Sequence, residues 1–296
     1  MDGPAFYASA GAARSVERLA EMVRKQHDLI AFQQSQATFC IAYPSCGLFL
    51  RKPFINFSAF GIPSRVNRDN ADACTGSHNE QATALAVHAP SHELVKGTEK
   101  IVSIVTALNK RGVDIELRIL SGEPHESVLA ALADCDFVID QLYNDIALGA
   151  LGVEAAHLGK PTVLGGYFAE RIRDFVREED IPPSAYVPPD DLEKAIERLA
   201  LDSQERARMG DEARTFVKNR WSPSKVGLEF VELIEGRGDP ELWCDPQTLD
   251  YVLGCGIARH DCIENIRALV EAFGESALML DDKPLALAAA LALLKD

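Results

Sequence analysis

The chain has 296 residues, of which 47% are hydrophobic and 25% are charged, as in an ordinary globular protein. This length suits one large domain or two of modest size. The formal net charge of −15 argues against a nucleic-acid partner, because nucleic-acid affinity depends on neutralising phosphates. No run approaches the ~20 apolar residues that span a bilayer, so we predict no transmembrane segment.

Seven cysteines occur at irregular spacing, and no apolar secretory signal opens the chain. This combination predicts reduced thiols in a cytoplasmic protein. Cys255, His260 and Cys262 are spaced as C-x4-H-x-C, which lacks a clear fourth ligand for zinc. We therefore expect no metal site.

The residues before 84 predict a small unit followed by a connector. Apolar patterns indicate one helix and then two strands, at 14–34, 38–43 and 53–61. The polar stretch 64–83 has no period and is typical of a linker or long surface loop. Residues 1–83 are thus expected to form a partial N-terminal α/β unit with its linker.

From residue 84 onward, predicted strands and helices alternate. Strands are predicted at 84–89, 114–120, 136–140 and 161–166. Helices are predicted at 98–110, 124–133, 148–158, 190–200, 202–219 and 222–235. Thr98 is expected to cap the first of these helices and Gly112 to end it. Because such alternation implies parallel pairing, we predict an α/β fold with a Rossmann-like, doubly wound parallel sheet over 84–235.

The last segment, 236–296, opens with a Gly/Pro break and is predicted to be a helical extension. Its three short helical patterns lie at 246–253, 261–273 and 283–295. The apolar run 284–294 is too short to span a bilayer and predicts a buried helix.

Ligands of open α/β sheets bind outside the carboxyl ends of the strands. Polar or small residues follow the predicted strands there: His88, Ser91, Lys96, Gly97 and Thr98, then Ser121, Gly122 and Glu123, then Asp140 and Gln141, and finally Gly149, Gly152 and Glu154. The small residues before Glu154 would let a backbone approach a ligand closely.

Two of these side chains suit the parts of a nucleotide. Lys96 is a compact positive charge beside two amides at a helix start, and this combination suits a diphosphate. Glu154 could accept hydrogen bonds from the two hydroxyls of a ribose. Each residue also has a plainer interpretation. Lys96 could be a solvated loop lysine, and Glu154 could be a first-turn glutamate that interacts favourably with the helix dipole. His125 could contact a base or sugar, or lie on the surface at a helix start.

The motifs KGTEKIV, GVEAAHLGKPTV and RWSPSKVGLEFVELI occur in this order within about 85–235. In this order and spacing they resemble the C-terminal, donor-binding domain of retaining GT-B glycosyltransferases. The resemblance implies transfer of a sugar from a nucleotide diphosphate donor, such as a UDP- or GDP-sugar, without a metal. The acceptor would be a glycan, a lipid or a small molecule.

The resemblance also implies roles for the candidate residues. Lys96 and Glu154 would be the catalytic pair, on the diphosphate and on the ribose. The amides of Gly97 and Thr98 would assist Lys96, and the loop 121–123 would border the base. The other donor-binding candidates are His88, Ser91, Gly122, Glu123, Gln141, Gly149 and Gly152.

The sequence departs from that family in three ways. The loop HAPSHELVKG has no arginine for the diphosphate, and Ile146 stands where the first glutamate of the family's pair would be. The chain before residue 38 is also short for an N-terminal half, which needs ~100–150 residues. These departures leave open a truncated enzyme, a half-enzyme completed by a second copy or partner chain, and a non-catalytic nucleotide-sugar-binding module.

A different phosphate-ligand enzyme on the same kind of sheet, such as an epimerase or a kinase, is a further alternative. No G-x-G-x-x-G or Walker-type loop supports it. The apolar run 284–294 and an exposed half-cleft together predict a homodimer, because large exposed apolar patches usually mark interfaces.

Overall fold

A computed structural model describes residues 15–64, 83–254 and 256–295. The strands are β1 (Ile41–Ala42), β2 (Phe54–Asn56), β3 (Ala84–His88), β4 (Ile115–Ile119), β5 (Phe137–Ile139), β6 (Thr162–Gly165), β7 (Ala185–Val187) and β8 (Trp243–Cys244). Most of the predicted linker 64–83 lies outside the described residues.

The first six helices are α1 (Val16–Gln36), α2 (Phe57–Phe60), α3 (Glu93–Lys96), α4 (Thr98–Lys110), α5 (His125–Asp134) and α6 (Ala150–His157). The remainder are α7 (Ile172–Phe175), α8 (Leu192–Leu201), α9 (Ser203–Arg220), α10 (Pro223–Ile234), α11 (Arg259–Phe273) and α12 (Pro284–Ala292). Short 3-10 turns lie at Pro44–Cys46, Tyr167–Glu170, Glu178–Asp180, Pro189–Asp191, Pro240–Leu242, Pro246–Thr248 and Glu275–Leu278. In the described ranges, no helix is long and apolar enough to cross a membrane.

Backbone contacts divide the chain into two compact units. Unit 1 comprises Met1–Ala59, Asp174–Val176 and Arg237–Asp296. Unit 2 comprises Phe60–Arg173 and Arg177–Gly236. The sequence predicted three segments, 1–83, 84–235 and 236–296, whereas this division puts the C-terminal tail in the same unit as α1.

Unit 1 is built on an apolar core shared by the two ends of the chain. Its members come from α1, from the 48–54 region, and from α11 and α12, and include Leu19, Val23, Ile30, Leu48, Phe54, Cys262, Ile266, Leu269, Ala286 and Ala290. Strand β2 pairs in parallel with β1 and antiparallel with β8. Only one face of the apolar run 284–294 is covered, since Leu285 is 52% exposed.

Three predicted elements in the first 61 residues and in the tail are wrong in extent. The strand predicted at 38–43 is only Ile41–Ala42, and local side-chain hydrogen bonds explain the other two. The strand predicted at 53–61 ends at Asn56, whose Oδ1 accepts from the amide of Ser58 at 3.0 Å and turns the chain into α2. The helix predicted at 246–253 is a single 3-10 turn, in which Asp245 Oδ1 accepts from the amide of Gln247 at 2.9 Å.

Unit 2 contains a five-stranded sheet in the order β4-β3-β5-β6-β7, with every pair parallel. Side chains of one strand alternate between the two faces of a sheet. Ala86, Phe137 and Ile139 pack with α4 and α8, whereas Val87 and Val138 pack with α5 and α6. Helices therefore cover both faces, and the predicted α/β fold with a doubly wound parallel sheet is confirmed.

Candidate functional site

The end of β3 is fastened to β5 through a buried histidine, His88. Nδ1 of His88 lies 2.8 Å from the carbonyl oxygen of Ile139, which can only accept a hydrogen bond. Nδ1 therefore carries the proton, and Nε2 accepts from the hydroxyl of Thr98 at 2.9 Å. Burial lowers the pKa of His88, in agreement with a neutral ring. Both ring nitrogens are engaged within the protein, so neither is left for the predicted ligand contact.

The start of α4 differs from the prediction. Gly97, not Thr98, is the N-cap residue, and its φ of +72° lies in the left-handed region. The Thr98 hydroxyl bonds to His88 instead of capping the helix. The Gly97 amide donates to the carbonyl oxygen of Leu94 at 3.2 Å, so this amide is not free to hold a phosphate as predicted. The amide of Thr98 belongs to the first turn of α4, where N–H groups have no acceptor within the helix.

Lys96 ends α3 and is held by an acidic partner. Its Nζ lies 2.8 Å from Oδ1 of Asp140, the residue directly after β5. The Asp140 side chain is fully buried, and 19% of the Lys96 side chain is exposed. The backbone adds a second link, because Leu142 donates its amide to the carbonyl oxygen of Lys96 at 3.1 Å. Lys96 is therefore an ordered, charge-compensated group, not a solvated loop lysine.

The glycines around Lys96 make room for protein atoms. A Cβ on Gly97 would lie 2.7 Å from Cβ of Leu142, and one on Gly149 would lie 2.9 Å from Oδ2 of Asp140. A Cβ on Gly152 would lie 2.5 Å from Cδ1 of Leu148. Close packing within the chain thus accounts for all three, whereas the sequence suggested that small residues before Glu154 admit a ligand.

Glu154 is paired with His125, a contact that the sequence did not predict. Oε1 of Glu154 lies 2.8 Å from Nε2 of His125, the first residue of α5. The His125 side chain is 65% exposed, and that of Glu154 is 19% exposed. Since α6 begins at Ala150, Glu154 lies beyond the first turn, and its interpretation as a first-turn glutamate is wrong.

The remaining candidates lie in the loops that leave the carboxyl ends of the strands. Ser91 follows β3, and Gly122 and Glu123 follow β4, all three exposed. Gln141 follows β5, is buried, and donates its side-chain amide to the carbonyl oxygen of Tyr143 at 3.0 Å. The structure thus places His88 as the last residue of β3 and every other candidate in a loop or helix that follows a strand end, on the same side of the parallel sheet.

An aromatic pair at this side of the sheet was missed by the sequence analysis. The rings of Tyr143 and Tyr167 stack with centroids 5.9 Å apart and an interplanar angle of 19°. Each tyrosine follows the end of a strand, β5 and β6 respectively, and each is half-buried. The sequence signal that could have revealed this pair is the occurrence of an aromatic residue shortly after each of two predicted strands.

Among the described residues, no group of three or more His, Cys, Asp or Glu side chains could hold a metal ion. The predicted absence of zinc at Cys255, His260 and Cys262 falls partly outside these residues, because Cys255 is not among them. The thiol of Cys262 donates to the carbonyl oxygen of Val252 at 3.6 Å within the core of unit 1.

No family model matches the chain, and no curated protein matches its sequence. Among solved structures, the chain is similar to a crystal structure of a mutant of S. aureus TarM in complex with Fondaparinux, alpha-GlcNAc-glycerol and UDP. The similarity covers 51% of this chain and 35% of that one, at 14% identity and a TM-score of 0.40. The matched region therefore spans about a third of the solved chain.

Proposed function

We propose that unit 2 binds a nucleotide diphosphate sugar at the carboxyl side of its sheet and takes part in transfer of the sugar to an acceptor. The observation that carries the proposal is the placement of Lys96 and Glu154. Lys96 lies at the N-terminal end of α4, and Glu154 lies on α6, which follows β5, the neighbour of β3 in the sheet. Asp140 lies between the two elements, bonded to Lys96 and adjacent to Gly149 at the start of α6.

Each part of the donor would meet a group of the matching chemistry. The Lys96 ammonium and the amides of the first turn of α4 would face the diphosphate, since a helix N-terminus adds roughly half a positive charge. The same groups would stabilise negative charge that grows on the leaving phosphate during transfer. Glu154 would accept hydrogen bonds from ribose hydroxyls, and the exposed loop 121–123 would border the base. No metal is part of this proposal.

The chain's own acidic groups favour a second candidate, a nucleotide-sugar-binding module without catalytic activity. The Lys96 charge is already compensated by Asp140 at 2.8 Å, and the segment HAPSHELVKG, which contains α3, contributes no arginine. Less net positive charge therefore faces a diphosphate than the resemblance implies. In the transferase version the acceptor is a glycan, a lipid or a small molecule. In both versions a second copy or a partner chain would supply the rest of the cleft.

Calorimetric titration with UDP, GDP and ADP tests the shared part of both versions. We expect one of the three to bind, and Glu154→Gln and Lys96→Met each to weaken that binding by tenfold or more. Lys194→Met is the matched control, because Lys194 also lies 2.8 Å from an aspartate, Asp191, but on an exposed surface. Absence of binding to all three nucleotides would rule out the donor site.

Turnover then separates the two candidates. A nucleotide sugar that carries the base found by titration is incubated with the chain, and release of the free nucleoside diphosphate is measured. Release that is lost in Glu154→Gln supports the transferase. Binding without release, even after addition of glycan and lipid acceptors, supports the binding module. Sedimentation of the same sample reports whether the chain is a dimer.

A further inference from the structure

Asp140 is a buried carboxylate with one oxygen bonded and the other unpaired. Oδ1 lies 2.8 Å from the ammonium of Lys96. Oδ2 is buried and has no hydrogen-bond partner within the described ranges. A carboxylate in this state is unfavourable unless other positive charge compensates it. The surroundings of Oδ2 therefore show what stabilises Asp140.

Oδ2 faces the beginning of α6. A Cβ built on Gly149, the N-cap residue of α6, would lie 2.9 Å from this oxygen, and Gly149 itself supplies no capping side chain. The N-terminus of a helix carries a partial positive charge. The carboxylate thus lies between two positive features, the Lys96 ammonium on one side and the α6 N-terminus on the other. Because Gly149 has no Cβ, there is room for Oδ2 beside the helix N-terminus.

This arrangement restrains Lys96. A lysine has a flexible four-carbon stem and three donors that rotate freely, so an unpaired ammonium samples many positions. A charge-assisted hydrogen bond to a fully buried, immobile acceptor selects one of them. Because 19% of the Lys96 side chain stays exposed, a solvent-facing side remains for a ligand.

We propose that Asp140 is a positioning residue that fixes the Lys96 ammonium relative to α6, the helix that carries Glu154. The proposal rests on the proposed function, in that Lys96 is taken to meet the diphosphate of the donor. Asp140 touches no ligand. It holds Lys96, which would bind the diphosphate, at a fixed position relative to Glu154, which would bind the ribose.

A double-mutant cycle on nucleotide affinity tests the proposal. The Kd of the nucleoside diphosphate that binds is measured for the wild type, Lys96→Met, Asp140→Ala and the double variant. Lys96→Met should weaken binding about tenfold in the wild type and less than threefold beside Asp140→Ala, because an unrestrained Lys96 contributes little. A tenfold loss in both backgrounds would show that Asp140 does not act through Lys96.

A conservative replacement separates positioning from a structural role. Asp140→Asn keeps a hydrogen-bond acceptor for Lys96 at the same place, so it should restore part of the Lys96 effect on affinity. If Asp140→Asn and Asp140→Ala give the same loss of coupling while both keep the wild-type circular dichroism spectrum, a hydrogen bond to Lys96 does not position it. The exposed pair Lys194–Asp191 is the control cycle and should show no coupling.

A second measurement needs no nucleotide, so the two proposals can fail separately. Lysines are trace-labelled with acetic anhydride, and modification of Lys96 is quantified relative to Lys194 by peptide mass spectrometry. Loss of the carboxylate should raise the labelling rate of Lys96 at least threefold in Asp140→Ala, because the amine is no longer held by a hydrogen bond to a fully buried acceptor. An unchanged rate would overturn the positioning role. Faster labelling in a chain that binds no nucleotide would overturn the proposed function alone.

Discussion

The hydroxyl of Thr98 donates a hydrogen bond to Nε2 of His88 across 2.9 Å, which ties the start of α4 to the end of β3. The other ring nitrogen donates to the carbonyl oxygen of Ile139, so the same ring also reaches the end of β5. One buried, neutral imidazole thus joins the three elements that surround Lys96. The geometry of the site depends on His88 although the ring presents no free nitrogen to a ligand.

Acid should destabilise the chain partly through His88. Burial lowers the pKa of this imidazole, with Asp140 and Lys96 acting on it in opposite directions. The folded state therefore binds fewer protons than the unfolded state, in which the pKa is about 6.5. The contribution of His88 to stability is complete above about pH 6.5 and is lost as the pH falls toward the folded pKa.

Urea unfolding at pH 7.5, 6.5 and 5.5 checks this expectation. His88→Gln should lower stability at pH 7.5 by about 1–3 kcal/mol, because a buried hydrogen-bonding group loses its partner. It should also lose less stability than the wild type between pH 7.5 and 5.5. His260→Gln is the control, since His260 is highly exposed. Equal pH dependence in the wild type and His88→Gln would contradict a buried, neutral His88.

Loss of Lys96 should destabilise unit 2 apart from any effect on ligand binding. Lys96→Met leaves the fully buried Asp140 carboxylate without its cation, which should lower the free energy of unfolding by about 3 kcal/mol. Adding Asp140→Asn to Lys96→Met should recover most of this loss, because the unpaired charge is removed. Thermal unfolding of the two variants provides the comparison. A Lys96→Met variant as stable as the wild type would show that the pair is weak.

Alanine at Gly97 should be more damaging than alanine at another glycine of the same conformation. Gly97 and Gly122 both have φ of +72°, but only at Gly97 does an added Cβ meet another atom, 2.7 Å from Cβ of Leu142. Backbone strain should lower the stability of Gly122→Ala by about 1–2 kcal/mol. Gly97→Ala should lose at least twice as much in urea unfolding. Equal losses would mean that Leu142 moves away from the added Cβ at little cost in stability.

The thiol of Cys135 should resist alkylation in the folded chain. Burial raises its pKa to about 12, whereas the thiolate is the reactive form. Iodoacetamide at pH 8 should label Cys135 at least tenfold more slowly than the half-buried Cys40, as followed by peptide mass spectrometry. In urea the two rates should become similar. Fast labelling of Cys135 in native buffer would show that α5 is not packed on the sheet.

Much of unit 2 could be predicted from local patterns. The first strand was predicted at 84–89 and is Ala84–His88, and the helix predicted at 98–110 is Thr98–Lys110. Both follow from apolar periodicity and from chain-breaking glycines, which act over a few residues. Alternation of such elements was enough to predict the parallel, doubly wound sheet. Short elements were predicted less well, because one side-chain hydrogen bond, such as that of Asn56, ends a strand.

The tertiary structure decided which groups meet. Lys96 was recognised in the sequence as a candidate, but its partner Asp140 lies after a different strand, and the parallel order of β3 and β5 brings the two within 2.8 Å. The sequence alone therefore determined the types of element and the chemistry available at the ends of the strands. The pairing of charges and the use of Gly149 as space for a carboxylate depend on contacts between distant residues. Local propensity does not encode these contacts, because they arise only when the sheet is assembled.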